Sequence, residues 1–356
     1  MDSHLCNRSM VRGDSREEAA WFIMRALAVF SLVWFWAVGI TPSVSGQSSP
    51  YDRDLLIVQG VSGGEVFDQY FAEWIVRFED AGHTGGFQTT VLDGFGAGAT
   101  FAEIDDWLRE QPRVGDRPMW MLWIGHGAFD GRFAKFNLQG PDISSQRLGD
   151  MLDSFSRPIV LIMLSSASGP FVTHCLGNDR VLIAATRSER QADFARFGEF
   201  FSTAIAEESA DLDKDESISL LESFLYASRK TEAYYDEQNE VVTENAIIDD
   251  NGDGRGSQAV MFDGLNAQVA PGGVPDGLRA RQLKWVYDSM ELLIPKGLRD
   301  DRDFYERKVY ELREIKANLP PWRYTRELEL TLLDLARVQR SIDDFLTRER
   351  QKEAVQ

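Results

Sequence analysis

Short, uninterrupted apolar runs constrain this chain more than any other feature. They are DLLIVQG from Asp54, PMWMLWIGHG running to Gly127, PIVLIMLSS from Pro158 and DRVLIAAT from Asp179. Each is too short for a helix and lacks a polar face, so both of its sides must be covered, as in a strand at the centre of a parallel sheet. Amphipathic segments separate them: VSGGEVFDQYFAEWIVRFEDAG predicts a helix starting near Gly64, ATFAEIDDWLREQ a second and residues 148–155 a third. FQTTVLDGF adds a strand, and FGEFFSTAIAEE closes the region as a helix. Strands alternating with helices predict an α/β class with a mostly parallel sheet wrapped on both faces.

In such sheets, chemistry collects at the carboxyl ends of the strands, where loops leave the core. Two runs end in small polar turns, Gly125-His126-Gly127 and Ser165-Ser166-Ala167-Ser168-Gly169. If the two strands are neighbours, His126 and Ser166 share one rim. Singly, each motif also fits a plainer role, a histidine ending a strand and serines turning the chain.

Taken together, IGHGAFDG, VLIMLSSASGPF and VLIAATRS resemble the caspase and legumain clan of cysteine peptidases (clan CD, peptidase C13), over residues 54–247. The resemblance is nearer still to bacterial legumain-like proteins with a Thr-Ala-Ser-Ala-Ser-Gly-Pro-Phe type of turn. It implies a caspase/hemoglobinase-like three-layer sandwich, with His126 as base and Ser166 where the clan has its nucleophilic cysteine. It also implies backbone N–H groups at Gly127 and Ser166 as oxyanion donors, and a specificity pocket bordered by residues 184–188. There Arg187 and Ser188 would meet a peptide or protein ligand, Arg187 favouring an acidic side chain.

The serine changes what the site requires. A thiol with a pKa near 8.5 is already partly ionised at neutral pH, whereas a hydroxyl needs a base in contact, a carboxylate orienting that base and a preorganised oxyanion hole. Beyond residue 46 the chain has His83, His126 and His174, and only His126 is placed to serve Ser166. The nearest orienting carboxylates are Asp130 and Asp142. An α/β-hydrolase is excluded, since there is no G-x-S-x-G elbow and no later histidine to complete a triad. Cys175 is expected to pack as a small hydrophobe. Loss of peptidase activity is the first expectation, and a Ser166–His126 hydrolase is the alternative.

The net charge of −19 argues against nucleic acid and anionic surfaces as partners. Residues 207–253 hold fifteen carboxylates against Lys214, Arg229 and Lys230, and so carry most of that charge. Within them DLDKDESISLLE has the oxygen spacing of an EF-hand loop: Asp211, Asp213, Asp215, Ser217 through its carbonyl, Ser219 and Glu222. Weak Ca²⁺ binding is expected, because Glu216 stands where the loop normally has glycine for a positive-φ turn. A second cluster, DDNGDGRG, offers Asp249, Asn251 and Asp253 but has no glutamate at the twelfth place. It reads as half a site or as a turn.

VAPGGVPDG marks a linker that ends the α/β domain, assigned to residues 47–270 with the insert at 211–222. Residues 278–356 form a helical region, in which 279–293 reads as one helix. Tyr305, Val309, Leu312 and Ile315 form one apolar stripe; Leu328, Leu332, Leu335, Ile342 and Leu346 form another. With LPPW between them, the stripes predict an α-helical hairpin. At the other end, residues 21–40 are apolar apart from Arg25. Its core is the length of a signal-peptide h-region, and Val44 and Gly46 fit cleavage after Gly46; retention of 21–40 as an anchor in the inner membrane is the alternative. Either way the remainder is expected outside the cytoplasm, periplasmic or secreted, with membrane contact limited to this segment.

Overall fold

The computed structural model describes residues 53–191, 193–268, 275–287 and 289–353. The apolar run at 21–40 and the cleavage expected after Gly46 lie outside these residues. Among the described residues no helix is long and apolar enough to cross a membrane.

The chain enters on β1 (Arg53–Gln59), crosses through α1 (Glu65–Thr84) to β2 (Phe87–Leu92), and returns through α2 (Phe101–Glu110) to β3 (Met119–Ile124). A small three-stranded sheet follows, β4 (Gly127–Phe129), β5 (Ala134–Phe136) and β6 (Ile143–Ser144). Next come α3 (Ser145–Leu152), β7 (Ile159–Leu164), α4 (Gly169–His174), β8 (Arg180–Ala184) and α5 (Phe197–Ala204). β9 (Ile218–Ser219) leads into α6 (Leu220–Gln238), then β10 (Ile247–Asp249) and the two-residue strands β11 (Phe262–Asp263) and β12 (Asn266–Ala267). The last elements are α7 (Leu278–Gln282), β13 (Lys284–Val286), α8 (Ser289–Leu293), α9 (Lys296–Glu314) and α10 (Pro321–Glu353).

The main sheet has six strands in the order β10-β8-β7-β3-β1-β2. All neighbouring strands run parallel except β10, which pairs antiparallel with β8. Successive residues of each central strand point to opposite sides, so the apolar runs build two cores. Leu55, Ile57, Trp120 and Leu122 face α1, α5 and α6, while Leu56, Val58, Met121 and Trp123 face α2, α3 and α4. This is the three-layer α/β sandwich expected from the runs. Helix starts are fixed locally: Thr100 with Glu103, and Ser219 with Glu222, make reciprocal capping boxes.

Two expectations change. Residues 279–293 are not one helix: α7 ends at Gln282, and β13 then pairs antiparallel with β9, setting Lys284 opposite Ser219 and Val286 opposite Ile218. Burial decides this, because Trp285 is fully enclosed against Phe78, Phe87, Trp120 and Phe201. The hairpin does form, with α9 packed on α10, and Val309, Leu312 and Ile342 of the expected stripes are buried. The seam departs from those stripes at Thr331, which is buried, and at Leu332 and Ile315, which stay more than 40% exposed. Thr331 fits the seam because its hydroxyl donates to the Glu327 carbonyl, 2.8 Å away.

Candidate functional site

β1 sits between β2 and β3, so the chain leaves it to one side and then to the other. The loops after β1 and β3 therefore diverge at a crevice, the place where open α/β sheets hold ligands. His126 follows β3, and Ser166 follows β7, the neighbour paired with β3 as far as Ile124 opposite Leu164. The two motif residues thus leave adjacent strand ends, as the sequence required for a shared rim.

The glycines beside them are needed for close approach. A Cβ on Gly127 would lie 2.1 Å from the Ser166 carbonyl oxygen, and one on Gly169 would lie 2.3 Å from the Arg187 carbonyl carbon. Backbone meets backbone at both points, so neither position takes a side chain.

Ser166 is only 3% exposed, and its hydroxyl is engaged on both sides by one residue. Oγ accepts from the Gly127 N–H at 3.1 Å and donates to the Gly127 carbonyl at 3.0 Å. The N–H expected to hold an oxyanion is therefore occupied by the supposed nucleophile. His126 is turned elsewhere: its Nε2 lies 2.8 Å from the Ser62 carbonyl, which can only accept, so Nε2 carries a hydrogen. No hydrogen bond joins His126 to Ser166 among the described residues. Phe67, Phe71 and Phe194 pack around the imidazole, with ring centroids 4.7, 5.5 and 5.8 Å away. Burial holds its pKa below the usual value despite the opposing Ser62 bond, so the ring is neutral at physiological pH.

The carboxylates proposed to orient His126 do other work. Asp130 pairs with Lys135 at 2.7 Å and accepts from the Arg132 and Phe133 N–H groups, and Asp142 accepts from the Leu138 N–H. The orienting group is the Ser62 carbonyl, which residue-type reasoning misses because any residue can supply one.

The turn after Ser166 is locked. Ala167 has φ +52°, a left-handed conformation rare outside glycine, and its N–H donates to the Gln191 carbonyl at 2.8 Å. Ser168 and Thr186, both fully buried, exchange backbone-to-hydroxyl bonds of 2.8 and 3.1 Å. Arg187 is exposed; its N–H donates to Gln191 Oε1, and Ser188 beside it is half-buried. His83 is exposed in the last turn of α1, and His174 Nδ1 meets Ser145 Oγ at 2.7 Å, so neither joins the rim. Cys175 is buried, and burial pushes its thiol pKa up to about 12, which removes it as a nucleophile.

In the acidic loop, carboxylate oxygens of Asp211, Asp213 and Asp215 lie within 4.8 Å of one another, an arrangement that could hold a metal ion. Glu216 takes φ +62° and Lys214 φ +60°, so the turn forms without glycine. Glu222, expected as the closing ligand, stands outside that group. Its Oε2 accepts from the Ser219 N–H and hydroxyl, and its Oε1 accepts from the Leu212 N–H at 2.8 Å. Ser219 is thus the N-cap partner of Glu222, and the Ser217 N–H binds Asp215 Oδ1 at 2.9 Å. Arg281 and Lys284, from the segment beyond the linker, pair with Asp213 and Asp215 at 3.2 and 2.5 Å. The donor set thus fits a cation through three aspartates, against competition from two side-chain cations.

The second acidic cluster is a turn. Asp249 accepts from the Gly252 and Gly254 N–H groups, and Asp276, distant in sequence, accepts from the Asp250 and Asn251 N–H groups and the Ser257 hydroxyl. Asp249, Asp250 and Asp276 are all buried, and burial raises each pKa, that of Asp276 to about 7.

The sequence matches no family model and no curated protein. Two solved structures similar to part of the chain are the Drosophila initiator caspase Dronc and caspase-1 from Spodoptera frugiperda. The first is 12% identical at a TM-score of 0.37, over 58% of this chain and 80% of that one. The second is 9% identical at a TM-score of 0.34, over 57% of this chain and 90% of that one. Values this low bear on neither activity nor ligand.

Proposed function

We propose that this chain is an exported protein of the caspase/legumain type that has lost peptidase activity and retains the strand-end rim as a binding surface. The observation that carries the reading is the closed Ser166–Gly127 pair, in which one hydroxyl consumes both the oxyanion donor and its own proton. For Ser166 to attack a carbonyl, that proton must pass to a base, and the expected base, His126, is bonded to Ser62 instead. The occupant of the rim is a peptide or protein segment, with exposed Arg187 favouring a carboxylate and Ser188 supplying a polar edge. No cofactor other than a cation is invoked.

The cation is Ca²⁺, held by Asp211, Asp213 and Asp215, with the Ser217 carbonyl completing the set after small rearrangement. Its role is structural: it would neutralise the loop at the head of α6. Delivery across a membrane through residues 21–40 would bring the loop to a compartment where calcium is plentiful.

The test is Ser166→Cys in the otherwise unaltered chain, assayed against fluorogenic peptides of varied P1 residue. The parent is expected to show no turnover above that of Ser166→Ala. Turnover by the parent that disappears in both Ser166→Ala and His126→Ala would overturn the reading and establish a Ser–His hydrolase. Turnover gained by Ser166→Cys alone would place the protein as a peptidase disarmed at one atom.

A further inference from the structure

α10 carries two stripes of three-and-four spacing. One contains Leu328, Thr331, Leu335 and Ile342 and is covered by α9. The other runs through positions 322, 326, 329, 333, 336, 340, 343 and 347 on the opposite face, and every one of these residues is exposed. Trp322 is 69% and Leu333 49% exposed on this face. A spacing of three and four residues is what lets a second helix pack along a first.

The charges on this outer stripe are palindromic. About a point between Asp334 and Leu335, Arg326 mirrors Asp343, Glu329 mirrors Arg340, and Leu333 mirrors Ala336. An antiparallel copy of α10 in that register sets each charge opposite its complement and Leu333 against Ala336 at the axis. Arg326, Glu329 and Arg340 have no ion-pair partner among the described residues, so these charges are free to be matched from outside. A twofold interface needs such self-complementarity, because the same patch must serve both sides.

We infer that the outer face of α10 binds a second copy of this chain antiparallel, with Glu329 of one copy against Arg340 of the other and Arg326 against Asp343. With only Trp322, Leu333 and Ala336 as apolar contacts, the dimer is a weak and reversible one.

Sedimentation velocity of the full-length chain in a density-matched non-ionic detergent tests this. A reversible dimer is expected in the parent, with the dissociation constant raised about tenfold by Glu329→Arg or by Arg340→Glu, and restored to within about twofold in the double variant. All of these substitutions are on exposed positions, and circular dichroism checks that each variant is folded. A parent that stays monomeric at 100 μM overturns the inference. So does association that the single variants leave unchanged, since it would then arise elsewhere in the chain.

Discussion

Ser166→Ala separates a tether from a nucleophile by stability alone. In the structure the Ser166 hydroxyl joins two strand ends through two hydrogen bonds to Gly127. Alanine removes both and leaves an N–H and a carbonyl without those partners beside a residue that is 3% exposed. A net loss of about 1 kcal/mol per bond gives about 2 kcal/mol in all. For a unit of roughly 300 residues, an unfolding entropy of about 2.1 cal/mol/K per residue converts this to about 3 °C in Tm. Thermal unfolding followed by circular dichroism at 222 nm reads it directly. A catalytic serine is ordinarily kept at some cost to stability, so replacing it is neutral or stabilising. A Tm for Ser166→Ala equal to or above that of the parent would therefore refute the tether and restore the nucleophile.

Other consequences follow from the same geometry. Asp276 is an acid whose folded pKa is raised to about 7 by burial, so the folded state holds a proton that the unfolded state has released from about pH 4 upward. Stability should fall by roughly 4 kcal/mol between about pH 4 and pH 7 and level off above, and Asp276→Asn should remove that share of the slope in urea titrations; an unaltered slope would contradict the assignment. Arg281→Ala frees Asp213 of its cation and should tighten calcium binding several-fold by calorimetry, whereas unchanged or weaker binding would argue against the aspartate site. Gly127→Ala forces a Cβ to 2.1 Å from the Ser166 carbonyl and should destabilise by more than about 2 kcal/mol in the same unfolding assay, with a near-neutral result showing that the strand ends are not in contact.

The central strands were legible because burial on both faces confines polar residues to their ends: the middles of β1, β3, β7 and β8 are apolar runs in the sequence and fully covered in the fold. Parallel neighbours β3 and β7 brought His126 and Ser166 to adjacent strand ends, which the motifs could suggest only conditionally. What the sequence hides is who bonds to whom. The Ser62 carbonyl that takes His126 and the Asp276 carboxylate that closes the second turn are set by long-range packing, without a local signal. β13 was missed for a related reason. Three residues around Trp285 look helical beside α7, yet the indole is buried only if the chain extends and pairs with β9. Glu222 shows the same limit from another side: its spacing matches a metal ligand, and the same spacing makes an N-terminal capping box with Ser219.

The most direct test of a silenced site is labelling by a fluorophosphonate probe, read by mass spectrometry of the modified peptide. Incubated with the purified full chain at pH 7 to 8, with and without millimolar calcium, the probe should leave Ser166 unmodified, because its hydroxyl is held by Gly127 and has no base in contact. Stoichiometric modification of Ser166 that is lost in His126→Ala would contradict the account.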